Sequence, residues 1–227
     1  MKKYIFSVLI ALLSLPVIAQ QEQLQASVVL DRTAENFRKA GGVQAEFTVK
    51  AYSNGRFEGQ SAGTIQLKGE KFVVKTPETT TWFDGKTQWT YMENTDEVNV
   101  STPTPEELQT INPYTFLNMY KNGFSSKLGK VTNFQGKPVI QVVLTATNRK
   151  QDVACIILNV TPDTYQPLYI LLQQRNLKNR SEIFINSYRA GLNYADANFV
   201  FDKKQYPDAE IIDLRYIMCH ISKLINY

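Results

Sequence analysis

The sequence is poor in the residues that do chemistry, and each shortage removes a class of function. Among 227 residues there is one histidine, His220, close to the end of the chain. A metal centre or a histidine-based triad needs imidazole in the body of a fold, so neither is expected, and no cofactor or metal is implied. Glycine is sparse, with 11 residues and no glycine-rich phosphate loop. The pair Gly41-Gly42 reads as a helix stop instead. Cysteine is limited to Cys155 and Cys219. Two cysteines make no disulfide framework. Pairing between them stays open, and Cys155, inside an apolar run, also reads as a small buried hydrophobe. Excess charge is missing too. The formal net charge is +4, and Lys2 and Lys3 account for two of those units. That is no electrostatic footprint for nucleic acid.

Long apolar runs are scarce. The first is Tyr4 to Leu13, after the basic Lys2 and Lys3 and before Val17-Ile18-Ala19. It is shorter than the roughly 20 residues of a membrane span. The pattern predicts a secretory signal peptide over residues 1–19, cut after Ala19. No cysteine lies near the cut, so lipid anchoring at that point is not expected. The mature chain is expected outside the cytoplasm.

The mature chain is rich in pattern. Leu24, Val28, Leu30, Ala34 and Phe37 recur at helical spacing, predicting an amphipathic helix ended by Gly41-Gly42. The period then changes to two. Val43, Ala45, Phe47, Val49 and Ala51 alternate with polar residues, as in a half-buried strand. Further strands are predicted through Ala62 to Lys68, Lys71 to Lys75, Thr79 to Phe83, around Trp89 and Tyr91, and over Glu97 to Val100. Asn54-Gly55 and Asp84-Gly85 mark turns, because both residues of each pair tolerate positive φ.

A helical insert interrupts this meander. Thr104-Pro105-Glu106-Glu107 combines an N-cap, a proline in the first helical position and acids in the first turn. Adjacent side chains on a helix do not face each other, so Glu106-Glu107 reads as a helix start and not as a catalytic carboxylate pair. Asn112-Pro113 opens a second helix, with Tyr114, Phe116, Leu117, Met119 and Tyr120, stopped by Asn122-Gly123. It is apolar over most of its circumference, so it must be covered on several sides or must itself cover something apolar. Strands resume over Val139 to Ala146, Val153 to Val160, Gln166 to Gln174 and Ser181 to Tyr188. In the last three, the alternation pairs Ile156 with Leu158, Tyr169 with Leu171, and Ile183 with Ile185.

The expected fold is mainly β with an α lid. It is an incomplete, open antiparallel barrel of about ten to eleven strands, covered by the N-terminal helix and the mid-chain insert. One domain is expected over residues 22–215, with a C-terminal tail of no evident role over 216–227.

An ordered set of motifs carries a resemblance. It begins Gly63-Thr64-Ile65-Gln66-Leu67-Lys68, then Lys71-Phe72 and Thr76-Pro77. It continues through Trp82-Phe83-Asp84-Gly85-Lys86-Thr87-Gln88-Trp89-Thr90-Tyr91, Glu97-Val98 and Asn112-Pro113, and closes on Phe199-Val200-Phe201. In this order the chain resembles the periplasmic outer-membrane lipoprotein carriers of the LolA family. The resemblance implies a carrier, not an enzyme, that holds lipoprotein acyl chains between barrel and lid. Its partners would be acylated lipoproteins, an inner-membrane ABC-type exporter and an outer-membrane acceptor, and it would work as a monomer in the periplasm. Proteobacterial members carry an arginine after the second of these strands, where this chain has Gly69 flanked by Lys68 and Lys71. A lysine lacks the planar fork of donors, so a latch here would be a looser one built on Lys68 and Lys71 with Pro113 and Leu117 of the lid.

Alternation and resemblance together predict an acyl cavity lined by Phe47, Val49, Ile65, Leu67, Phe72, Trp82, Trp89, Tyr91, Phe116, Met119, Tyr120, Leu144, Ile156 and Leu171. A carrier of another lipid is an alternative within the same class, and two rival readings come from other classes. A lipid-sensing regulator of the RseB type shares the fold but usually carries a second domain, for which this chain ends early. A secreted enzyme on a β scaffold is disfavoured by the missing histidines, metal clusters and nucleophile motifs.

Overall fold

The computed structural model describes residues 25–104, 107–108, 121, 123–149, 151–175 and 178–215. The predicted signal peptide, the helix expected from Pro113 to Lys121 apart from Lys121 itself, Cys219, His220 and the tail 216–227 lie outside the described residues.

Helix α1 covers residues 25–39. Ala26, Val29, Leu30, Thr33 and Phe37 form its buried face, a stripe at helical spacing. The stripe is rotated from the expected one, and Val28 is 44% exposed. Thr33 keeps its place in the stripe by donating to the Val29 carbonyl at 2.9 Å. The helix stops at Gly41, whose φ of +70° suits glycine at a helix end.

The strands are β1 (Gly42–Ser53), β2 (Arg56–Lys68), β3 (Lys71–Lys75), β4 (Thr79–Phe83), β5 (Gln88–Met92), β6 (Glu97–Ser101), β7 (Phe124–Leu128), β8 (Asn133–Phe134), β9 (Lys137–Pro138), β10 (Ile140–Ala146), β11 (Val153–Val160), β12 (Pro167–Gln174), β13 (Arg180–Leu192) and β14 (Glu210–Asp213). Twelve of them form one unclosed sheet in the order β14-β6-β5-β4-β3-β2-β1-β13-β12-β11-β10-β7, with β8-β9 as a separate ribbon. A sheet this wide curls rather than staying flat. Asp84 makes the turn before β5 by accepting from the amides of Lys86 and Thr87 at 2.8 and 2.7 Å. Three strand features that the sequence reading missed complete the edges or pair outside the sheet: β7, the short β8-β9 ribbon, and β14. The β14 strand is also the exception to the antiparallel pattern, since it runs parallel to β6.

Two cores result, one on each face. The inner core packs α1 on β1, β2, β3 and β10 to β13 through Leu30, Phe37, Val43, Leu67, Phe72, Val142 and Val160. The outer core covers the far side of β3 to β6. There Val73, Trp82, Tyr91, Val98 and Val100 meet Phe199 and Ala209 of the returning C-terminal segment. A 3-10 turn at Asp196–Phe199 aims Phe199 into this layer, where it is fully buried.

At the start of the expected insert, Thr104 and Glu107 cap each other. The Thr104 amide donates to Glu107 Oε2 at 2.7 Å, and the Glu107 amide donates to Thr104 Oγ1 at 3.2 Å. This is a capping box, so Glu107 serves a helix start.

Candidate functional site

The inner face of the sheet does not fill the space beneath α1. A cavity of about 200 Å³ remains, walled by Phe37 of the helix and by inward side chains of β1, β2, β3, β10, β11, β12 and β13. Because side chains alternate along a strand, each strand contributes residues two apart: Val43, Ala45, Phe47 and Val49 from β1, Ile65 and Leu67 from β2, Ile156 and Leu158 from β11. Val74, Leu144, Pro167, Ile170, Leu172, Ile183, Ile185 and Tyr188 complete the wall. Among the described residues, Tyr188 is the one lining side chain with a polar atom.

Tyr188 reaches the cavity through a break in the strand. Ile183 and Ile185 point inward, so strict alternation would send Tyr188 outward. Instead Phe47 pairs with Ile185 and Glu46 with Ser187, and Asn186 is skipped. Such a β-bulge re-aims the residues that follow it. Asn186 is held at the break by donating from Nδ2 to Thr48 Oγ1 at 2.9 Å. Tyr188 then pairs with Ala45 and faces the cavity beside it. Burial pushes its phenol up to about 12, so it is a neutral hydrogen-bond donor at any ordinary pH.

A second, smaller hollow adjoins this one. It lies between α1 and the β11-β12 turn and shares Phe37, Pro167 and Tyr188 with the cavity. Its other walls are largely polar: Thr33, Asn36, Thr164, Tyr165 and Gln166, with Ala40 and Ala190. Arg32 donates to the Tyr165 hydroxyl at 2.6 Å, and Asn36 donates to the Thr164 carbonyl at 2.9 Å. These two bonds tie the helix to the turn.

Of the side chains predicted for the cavity, Phe47, Val49, Ile65, Leu67, Leu144 and Ile156 line it. Phe72 is on the same face but fully buried beside Phe83, ring centroids 5.2 Å apart, and does not line the space. Trp82, Trp89 and Tyr91 belong to the outer core. Alternation correctly groups them on one face, but that face is covered by the C-terminal return. Tyr91 there donates to Asp96 at 2.5 Å, a bond that raises its phenol to about 12. Leu171 also points away from the cavity, and its neighbours Ile170 and Leu172 line it instead. In β12 both faces are apolar, so period alone does not choose between them. Phe116, Met119 and Tyr120 lie outside the described residues.

The two lysines expected in the latch both reach one carboxylate. Lys68 Nζ stands 2.9 Å from Asp196 Oδ1, and Lys71 Nζ 2.7 Å from Asp196 Oδ2. Lys68 also donates to the Tyr194 carbonyl at 2.8 Å. Both lysines therefore hold the C-terminal 3-10 turn on the β2-β3 hairpin. Pro113 and Leu117 lie outside the described residues.

The residues missed by sequence reading carry two kinds of signal. Val43, Ala45, Leu158, Ile183 and Ile185 continue alternations already visible and are recovered by extending them. Phe37, Val74, Pro167, Ile170, Leu172 and Tyr188 need the packing, the phase of β12 or the bulge. Among the described residues no three His, Cys, Asp or Glu side chains gather as a metal site would. Among them, too, no helix is long and apolar enough to cross a membrane.

An unclosed antiparallel sheet curled round an apolar cavity, with an N-terminal helix across it, is a LolA-like fold. Residues 15–176 match the family described as outer membrane lipoprotein carrier protein LolA, and the chain belongs to that family. No curated protein matches the sequence. Among solved structures, an uncharacterized conserved protein from Thermus thermophilus shares the fold at TM-score 0.53 and 14% identity, over 83% of this chain and 99% of that one. A putative outer membrane lipoprotein-sorting protein domain from Vibrio parahaemolyticus aligns at TM-score 0.46 and 10% identity, over 81% of this chain and 99% of that one. A MucA/MucB complex structure from Pseudomonas aeruginosa aligns at TM-score 0.40 and 18% identity, over 79% of this chain and 62% of that one.

Proposed function

We propose that this protein is a periplasmic carrier. It binds acyl chains of lipoproteins beneath α1, receives them from an inner-membrane ABC-type exporter and delivers them to an outer-membrane acceptor. The observation that carries this reading is the lining of the cavity, which among the described residues is apolar except for one phenol. Membership of the LolA family and the secretory pattern of residues 1–19 support it.

Energetics favour partial burial of the cargo. Each buried methylene contributes about 0.8 kcal/mol, so one palmitoyl chain fully buried would contribute roughly 12 kcal/mol. Several chains held that way would not be released without an energy source. A cavity of about 200 Å³ is smaller than the roughly 300–1,000 Å³ of typical ligand pockets. It holds part of a chain, which leaves the remainder available to an acceptor. The function is binding and release, with no bond made or broken.

The test has two arms. Mass spectrometry of the purified protein should detect copurified acyl lipid or lipopeptide. Adding the protein to spheroplasts should release acylated lipoprotein into the supernatant. Copurified lipid without any release would favour a lipid sensor over a carrier. Absence of both would reject acyl binding altogether.

A further inference from the structure

The apolar cavity and the polar hollow beside it meet at Tyr188, and the phenol at that junction has no hydrogen-bond partner among the described residues. Tyr188 is half-buried, so its hydroxyl can be reached from the hollow as well as from the cavity. The arrangement here is specific, because Tyr188 arrives only through the bulge at Asn186. Without that bulge the phenol would face the other side of the sheet, and the cavity would be wholly apolar.

We propose that Tyr188 donates a hydrogen bond to the acyl carbonyl, ester or amide, of a lipid whose tail occupies the apolar cavity and whose head lies in the hollow lined by Thr33, Asn36, Thr164 and Gln166. This rests on the acyl-binding reading and assigns the polar end of the ligand. A neutral phenol suits an uncharged carbonyl oxygen. A free carboxylate would need a cation, and the one beside the hollow, Arg32, is exposed and already donates to Tyr165. The order of groups along the site, tail then carbonyl then polar head, fixes which way a chain enters. Its methyl end lies among Phe47, Val49 and Ile183, and its head lies near the β11-β12 turn.

Lipoproteins and phospholipids both supply acyl carbonyls, so the experiment uses both. Displacement of a fluorescent fatty probe is measured with a synthetic dipalmitoyl lipopeptide, with dipalmitoylphosphatidylcholine and with hexadecane, for the wild type and for Tyr188→Phe. The variant keeps the ring and removes one donor. It should weaken lipopeptide binding by about three- to tenfold and leave hexadecane within about twofold. An equal loss with the phospholipid assigns the contact to any acyl carbonyl. Lack of phospholipid binding by either protein assigns it to lipopeptides. Unchanged lipopeptide affinity, or an equal loss for hexadecane, overturns the proposal. If the wild type binds none of the three, the acyl-binding reading falls and this one with it. If it binds hexadecane and lipopeptide and Tyr188→Phe behaves identically, only the role of Tyr188 falls.

Discussion

Lys71 Nζ lies 2.7 Å from Asp196 Oδ2, across 125 positions of sequence, and pins the C-terminal 3-10 turn to the β2-β3 hairpin. Lys68 shares the same carboxylate from its other side. The two lysines, Lys71 first, hold the Asp196 carboxyl down to about 2. A depressed carboxylate contributes stability that is present above its ordinary titration range and lost as pH falls through its folded value. Asp196→Asn should therefore lower the melting temperature slightly and by a constant amount from about pH 7 to pH 5. The gap should narrow as pH drops toward about 2, and shrink in high salt, because the pair is exposed. Melting curves of both proteins across that range check this. A gap that stays constant into strong acid would show that the charge is not what Asp196 contributes.

Phe199 is fully buried in the outer core, with Tyr194 edge-on at 5.9 Å. Phe199→Ala should cost about 3–5 kcal/mol in urea unfolding, because it removes a whole ring from a fully buried site. Phe199→Leu should cost less. Both should keep the lipid-binding affinity of the folded fraction, since the cavity lies on the opposite face. A loss of affinity that tracks the loss of stability would contradict this separation of faces.

Leu171 and Leu172 are neighbours in sequence with opposite exposures to the cavity. Leu172→Trp places a large ring in the space and should reduce acyl-probe affinity by about tenfold, with an overpacking cost of about 1–3 kcal/mol. Leu171→Trp should leave affinity unchanged. Equal effects from the two variants would mean that the phase of β12 differs from the one described.

Gly63 sits opposite Phe47 in the β1-β2 pair. A Cβ there would overlap the Lys75 carbonyl oxygen and come within 2.8 Å of the Phe47 ring. The carbonyl belongs to backbone and cannot swing away. Gly63→Ala should destabilise by about 1–3 kcal/mol, and it should disturb probe binding because Phe47 lines the cavity. A variant as stable as the wild type would show that β2 and β3 have room to separate.

Much of the fold is legible in the residues. β3, β4 and β11 are readable to within their observed ends, because hairpin signals such as Asp84-Gly85 bound them and alternation is clean. Gly41 ends α1 as its position suggests. The weaker signals are short and marginal. β14 has four residues and takes its place only by pairing with β6, and β7 carries a serine, Ser126, between Phe124 and Leu128 on its inward face. Six cavity residues follow from alternation, whereas Trp82, Trp89 and Tyr91 do not reach the cavity although they share a face as expected.

Local chemistry along the chain sets which residues share a face of each strand, where the backbone turns, and that α1 must cover a sheet. Those are properties of a period, a φ angle and a stripe, and each can be read from a few neighbouring residues. Which face becomes the inside is settled by long-range packing. On β3 and β4 both faces carry apolar side chains, Phe72 and Phe83 on one and Val73 and Trp82 on the other, and the covering of the second depends on Phe199 and Ala209 arriving from more than a hundred residues away. The same holds for Tyr188, whose direction depends on one unpaired residue in the ladder with β1. A period of two reports companionship within a strand, but burial and bulges arise between segments, and their partners are set by how the whole chain packs.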